Sequence, residues 1–278
     1  MNQGAGIFAA GAVALGIASG AWGARSLTAS GAFAAFMIGF TALRVSWAWG
    51  VFLIAWFVLA SLLSRLGKAT KSGRIDGIVM KGDRRDAFQV LANGGVFLFA
   101  AFAVIFVTPH ISHSAEWNAL LAASAAGALA AAGADTWATE IGTMCGSAPW
   151  SLRTRRRVPA GTSGAITVVG TSALVAGGVL IAILAAMFGV IPADLPSIVA
   201  VGAGGVVGAL ADTAIGAWLQ ERRHCSVCNL DTEQIVHVCG NHAKRIAGVA
   251  SLDNDVVNAL CTLIGATTAA LLTLGCKR

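Results

Sequence analysis

Trp117 to Cys145 reads WNALLAASAAGALAAAGADTWATEIGTMC. A bilayer is crossed by about 20 predominantly apolar residues, and this run is that long, yet it contains Asp135 and Glu140. An ionised carboxylate at the centre of a bilayer costs about 2.5–3.5 kcal/mol on insertion scales, so such a group faces a bundle interior or a wet cavity and handles an ion or a proton. The Ala and Gly residues from Ala123 to Gly133 let neighbouring helices approach closely. The stretch therefore reads as a central helix of a polytopic bundle with a polar site toward one end. Gly208 to Trp218, GALADTAIGAW, repeats the pattern with Asp212. Ala134-Asp135-Thr136 recurs there as Ala211-Asp212-Thr213, either as a trace of duplication or as a chance match in an Ala/Gly-rich chain.

The rest of the chain agrees with a membrane bundle. Its 278 residues are 56% hydrophobic and 12% charged, with 34 Gly and no Tyr, and the mean hydropathy is +0.76. A soluble core needs fewer apolar residues and a soluble surface needs more charges. Apolar runs cover the chain nearly end to end, which implies one integral membrane domain over 1–278. The first run, Gly6 to Trp22, follows Asn2 and Gln3 rather than Lys or Arg, so it lacks the basic lead of a secretory signal and is expected to remain as a helix.

Spans are expected near 5–23, 27–43, 46–64, 88–109, 117–145, 163–190, 196–219 and 254–275. The fold class is thus all-α, a transmembrane bundle of about eight spans, with seven or nine the alternatives. The net charge of +6 gathers in loops: 65–87 with Lys68, Arg84 and Arg85, 146–162 with Arg153, Arg155, Arg156 and Arg157, and 220–252 with Arg222, Arg223, Lys244 and Arg245. The positive-inside rule makes these three loops cytoplasmic, in a bacterium on the inner membrane, and argues against a nucleic-acid patch. Asp135, Glu140, Asp212, Asp253 and Asp255 then converge on one leaflet. Transport pathways need polar groups at several depths, whereas chemistry on a lipid headgroup with a soluble cosubstrate needs them at one side.

The candidate site has several parts. Asp135 and Glu140 are five apart and point about 140° from each other on a straight helix, so one cation takes both only if the helix unwinds near Gly142; otherwise Glu140 orients the shell or a substrate. Leu252 to Asn258, LDNDVVN, opens the last span, with Asp255 and Asn258 three apart on one face. Carboxylate and amide oxygens are the hard donors Mg²⁺ takes; helix capping explains Asp253 without Asn258. The plainer alternative for the acids is hydrogen bonding to Ser, Thr or backbone groups in neighbouring helices. Arg153 to Gly164 joins a basic run to Gly161, Thr162, Ser163 and Gly164, which read as a phosphate cradle at a helix start or, for the Arg run, as topology alone. No GxxxxGK[ST] occurs. Lys68, Arg84, Arg85, Gln89 and Asn93 supply cations and amides around the fourth span, for a lipid phosphate or for anchoring to anionic headgroups.

Cys225-x2-Cys228 and Cys239-x2-His242 have the types and spacing of a closed tetrahedral Zn²⁺ site within the cytoplasmic loop 220–252. The alternative is reduced Cys with a solvated His. A disulfide framework is not expected of the six Cys, because half lie in or beside apolar segments and the rest face a reducing compartment.

Taken as an ordered set, ADTWATEIG from Ala134, PAGTSGAITVVGT from Pro159, the CxxC loop, LDNDVVN from Leu252 and QVLANGG from Gln89 resemble the phytyl-phosphate kinase family of membrane proteins. The likeness runs from about residue 65 to 260. More distantly, the chain is similar to dolichol kinase and CDP-diacylglycerol synthase. The resemblance implies transfer of a phosphoryl group from a nucleoside triphosphate, CTP or ATP, to a prenyl monophosphate lipid. It further implies Mg²⁺ on Asp135, Asp212 and Asp255, with Glu140 and Asn258 completing or orienting the shell. Gly161, Thr162, Ser163 and Gly164 would take nucleotide phosphates, and Lys68, Arg84 and Arg85 the lipid phosphate. Rival readings are a lipid-phosphate cytidylyltransferase, which releases pyrophosphate, and a cation or lipid transporter. Prenyl length, nucleotide and oligomeric state, a homodimer included, stay open.

Overall fold

The computed structural model describes residues 3–71 and 84–276, with the side chains of 3–5 and 67–71 outside the described set. Among the described residues eight helices make up the bundle: α1 (Gln3–Gly23), α2 (Ala29–Val45), α3 (Trp47–Lys71), α4 (Ala87–Phe106), α5 (Ser114–Met144), α6 (Val168–Met187), α7 (Leu195–Trp218) and α8 (Asn254–Gly275). Seven of them are long and apolar enough to cross a membrane, and α2, at 17 residues, is the shorter eighth. The expected all-α bundle of about eight spans is therefore what forms.

Local chemistry sets the helix ends. Thr28, Asp86, Thr167, Asp194 and Asp253 are N-caps whose side chains accept from the third backbone N–H beyond, satisfying donors that a helix start otherwise leaves orphaned in apolar surroundings. At Asp86 the cap is a reciprocal box with Gln89. α4 stops short of Pro109 and passes into a 3₁₀ turn over Thr108–His110, because proline lacks the N–H that would extend the ladder. Between α2 and α3 only Ser46 breaks the helix, in extended backbone.

One expected boundary is wrong. The sixth span does not begin at 163: Ala165–Ile166 forms a strand, β2, paired antiparallel with β1 (Trp150–Ser151), and the helix starts at Val168. Gly161 and Gly164 adopt φ of +84° and +69°, which end a turn instead of opening a helix. Gly164 also lies against α7, where a Cβ would sit 2.3 Å from the Ala217 Cα.

The core is built around α5, which packs against α3, α4, α6, α7 and α8. Its stretch from Ala122 to Ala134 is almost wholly buried. Across it the backbones come so close that a Cβ on Gly127, Gly208 or Gly265 would lie 2.6 Å from an alanine Cβ of a facing helix. On the other side Trp49 of α3 packs against Phe97 of α4 with the rings tilted by 49° and their centroids 5.4 Å apart, and α1 and α2 pack outside them. Between α7 and α8 the chain forms a small antiparallel sheet, β4 (Leu230–Thr232), β3 (Arg222–Cys225) and β5 (Lys244–Ala247) in that order.

Candidate functional site

A cavity of about 350 Å³ opens among α1, α2, α3, α4, α5 and α8. Its two ends differ in chemistry. One is a trench walled by α1, α2 and α3 through Ala14, Ala18, Ile38, Leu53, Ile54 and Phe57. The other carries Arg85, Gln89 and Asn93 beside and on α4, Asp135, Thr139 and Glu140 on α5, Asn254, Asp255 and Asn258 on α8, and Glu233 from the loop after β4.

Each polar group is there for a local reason. Asp253 spends its carboxylate capping α8, accepting from Val256 N at 3.0 Å, and so leaves Asp255 and Asn258 to the cavity, one helical turn apart. Gln89 and Asn93 share a face of α4; Gln89 Oε1 accepts from Asp86 N at 3.2 Å and Asn93 donates to the Gln89 carbonyl at 2.9 Å. Arg85 is fixed through its backbone, which donates to Ser26 O and accepts from Thr28 N, both at 3.0 Å. Burial pulls its guanidinium below the ordinary arginine range, and it stays cationic. α5 remains helical through Gly142 to Met144, so unwinding there does not occur; the cavity wraps the helix far enough for Asp135 and Glu140 both to line it.

Asp212 sits behind this wall. Asp135 and Glu233 are the charges that face it, and Cys261 of α8 stands near both aspartates. The neighbouring threonines are committed elsewhere: Thr136 donates to Ala132 O at 2.8 Å and Thr213 to Ala209 O at 3.1 Å. Asp212 Oδ2 is buried and has no hydrogen-bond partner among the described residues. Hydroxyls of neighbouring helices therefore do not account for this acid. A buried carboxylate oxygen without a donor needs an explanation, and the water shell of a cation held at Asp135 would supply one. Asp135, Asp255 and Asn258 on the cavity, with Asp212 behind them, are the hard oxygen donors that Mg²⁺ takes while it keeps waters or phosphates in its shell.

Other expected residues fall differently. Arg84 is exposed and donates through Nε and Nη2 to Leu27 O at 3.3 and 3.0 Å, clipping the α1–α2 link to the start of α4 without lining the cavity. Lys68 lies on the last turns of α3 with its side chain outside the described residues. Gly161, Thr162, Ser163 and Gly164 do not line the cavity. Thr162 Oγ1 donates to Pro159 O at 2.8 Å, and Ser163 Oγ donates to the Glu233 carboxylate, whose Oε1 also accepts from Gln220 Nε2 at 2.8 Å.

Two cavity groups escape a sequence reading. Glu233 lies in a polar loop, where an acid carries no signal. Trp56 resembles any membrane tryptophan, but its indole N–H is buried without a partner among the described residues and lies beside Gly133, just before Asp135.

The Cys loop gathers Cys225, Cys228, His237 and Cys239, whose ligand atoms all lie within 4.8 Å of one another. His242 is not in this set, which corrects the CxxH assignment. The chain turns back at Gly240, φ +85°, with His237 N donating to Asn241 O at 2.9 Å, and His242 emerges exposed, bridged to Val236. Hydrogen bonds from Asn241 and His237 pull the Cys239 thiol down to about 6, toward the thiolate that binds metals. All six Cys are free.

The family model described as Integral membrane protein DUF92 matches residues 12–266. The chain is 29% identical over 254 residues to Protein PGR of Arabidopsis thaliana, covering 86% of each. It is 32% identical over 173 residues to an uncharacterised membrane protein of Methanocaldococcus jannaschii, covering 62% of this chain and 65% of that one. No solved structure matches it.

Proposed function

The chain belongs to the DUF92 family of integral membrane proteins, and we propose that it moves the terminal phosphoryl group of a nucleoside triphosphate onto a prenyl monophosphate at the inner face of the membrane. One observation carries this reading. A single cavity joins an apolar trench, lined along α3 from Gly50 to Ser64, to a polar end bearing Asp135, Glu140, Asp255 and Asn258. At the helical rise that stretch of α3 is about 21 Å long. A prenyl phosphate divides in the same way into a long apolar tail and a small anionic head. The three basic loops turn the polar end toward the cytoplasm, where nucleotides are available.

In this reading the tail lies along α3 between α1 and α2, and the lipid phosphate meets Arg85 and the Trp56 N–H. An oxygen of that phosphate attacks the γ-phosphorus; the bond from this phosphorus to the β–γ bridging oxygen breaks, and the nucleoside diphosphate leaves with the electron pair. No covalent bond to the protein is needed, since such transfers depend on positioning and charge neutralisation. A bound Mg²⁺ would neutralise charge on the transferring group. Asp135, Asp255 and Asn258 would hold it from the cavity, and Asp212 would orient its shell from behind. The Gly161–Gly164 turn, tied to Glu233 through Ser163, takes the nucleotide phosphates.

The test is purified protein in proteoliposomes with γ-labelled ATP or CTP and a panel of prenyl monophosphates. A labelled prenyl diphosphate and a nucleoside diphosphate are expected. Release of pyrophosphate with a CMP-lipid would make it a cytidylyltransferase. Absence of nucleotide turnover, with ion or lipid flux that Asp135→Asn abolishes, would make it a transporter.

A further inference from the structure

We infer that Cys225, Cys228, His237 and Cys239 hold a Zn²⁺ ion, and that this ion is the clamp that keeps Glu233 at the polar end of the cavity. The geometry is that of a metal site. In a tetrahedral site with Zn–S near 2.3 Å, neighbouring ligand atoms stand about 3.8 Å apart. Cys225 Sγ is 3.6 Å from Cys239 Sγ and His237 Nδ1 is 3.3 Å from the same sulfur, with all four ligand atoms within 4.8 Å of one another. No disulfide joins any of the cysteines. His237 is buried, and its Nε2 has no hydrogen-bond partner among the described residues. Three Cys and one His close the shell with no open position, the pattern of a structural rather than a catalytic zinc.

The position of the site in the chain gives the ion its consequence. Cys225 ends β3, Cys228 lies in the turn before β4, and His237 and Cys239 follow Glu233. The ligands thus flank the Glu233 segment on both sides. That segment reaches the cavity, where Glu233 accepts from Gln220 and Ser163. Strands of three or four residues do not make a stable sheet in water by themselves, and small loop-rich units are commonly held by a metal instead. Without the ion the β3–β5 unit loses its staple, and Glu233 and the Ser163 turn lose their common anchor.

The metal assignment stands by itself, and only the turnover arm of its test rests on the function proposed above. Protein purified in detergent without chelator is assayed for metal by mass spectrometry. About one zinc per chain is expected, retained in His242→Ala and Glu233→Gln and lost in His237→Ala and Cys228→Ser. His237→Cys, which rebuilds a four-thiolate shell, retains it and shows that the loop tolerates substitution. Hydrogen exchange across 222–247 rises in Cys228→Ser while that of α5 to α8 is unchanged, and turnover of Cys228→Ser falls to that of Glu233→Gln. Zinc kept by His237→Ala, or lost in His242→Ala, overturns the ligand set. A zinc-free Cys228→Ser with unchanged exchange and full turnover overturns the clamp. If no variant or wild type turns over nucleotide, the phosphotransferase reading fails while the zinc and exchange results still decide the site.

Discussion

Asp212 is an acid whose charge costs the fold something and whose neighbours give little back. Its Oδ2 is buried without a donor, and Asp135 and Glu233 face it as further negative charges. Replacing it by Asn keeps the shape and removes the charge, so Asp212→Asn is expected to leave thermal stability in detergent unchanged or raised, since an unpaired charge in apolar surroundings is destabilising. Activity goes the other way. Residues that orient a metal shell typically change metal affinity about 10–100-fold, so the Mg²⁺ needed for half-maximal turnover should rise by that order. Asp135→Asn, at the cavity itself, is expected to remove turnover at any Mg²⁺ concentration. A variant at 212 that unfolds, or one whose Mg²⁺ dependence is unmoved, contradicts this division. These acids were visible in sequence because a carboxylate inside a membrane-length apolar run has few places to go. Glu233 and His237 were not, since their roles come from how a polar loop closes, and the loop offers three histidines, His224, His237 and His242, that spacing cannot rank.

At the scale of the helix, the small residues of α5, α7 and α8 set the distance at which Asp135 and Asp212 meet. A Cβ on Gly208 would lie 2.6 Å from the Ala131 Cβ and 2.7 Å from the Cys261 carbonyl, with no room on either side. Gly208 precedes Asp212 by one turn, so forcing α7 outward there moves the acid as well. Gly208→Val is expected to lower stability by about 1–3 kcal/mol or more, the cost of overpacking a close-packed interface, and to lose activity with it. Gly16→Ala on α1 is the control: nothing lies within 4 Å of the new methyl, and Ala is about 1 kcal/mol better than Gly in a helix. Thermal melts of both in one detergent, with turnover alongside, give the comparison; equal melting temperatures would mean that the glycines are not what brings the helices together. Apolar length made the helices legible in sequence. The start of α6 was misread because Gly161 to Gly164 has the composition of a helix entry, whereas the β1–β2 pairing and two left-handed glycines, both long-range in origin, make it a turn.

For the whole molecule the distinguishing property is the division of one cavity into trench and acidic end, which arises only when α1, α2 and α3 line one part of the space that α5 borders with Asp135. No single helix shows it, and sequence reading accordingly found the acids but not the trench. If the trench holds a prenyl tail, its contribution to binding grows with the length of tail it covers, while the chemistry at Asp135 does not change. Ala35 on α2 lines the trench and is half-buried. Ala35→Trp should therefore raise KM for long-chain prenyl phosphates by on the order of tenfold, as expected when a pocket loses the methylenes it discriminates by. A short, water-soluble prenyl phosphate reaches only the polar end and should keep its kcat/KM. Assaying both substrates with the same preparation removes folding from the comparison, because misfolding lowers the two alike. Parallel losses would mean that the apolar arm is packing space and that the acids act on something other than a lipid.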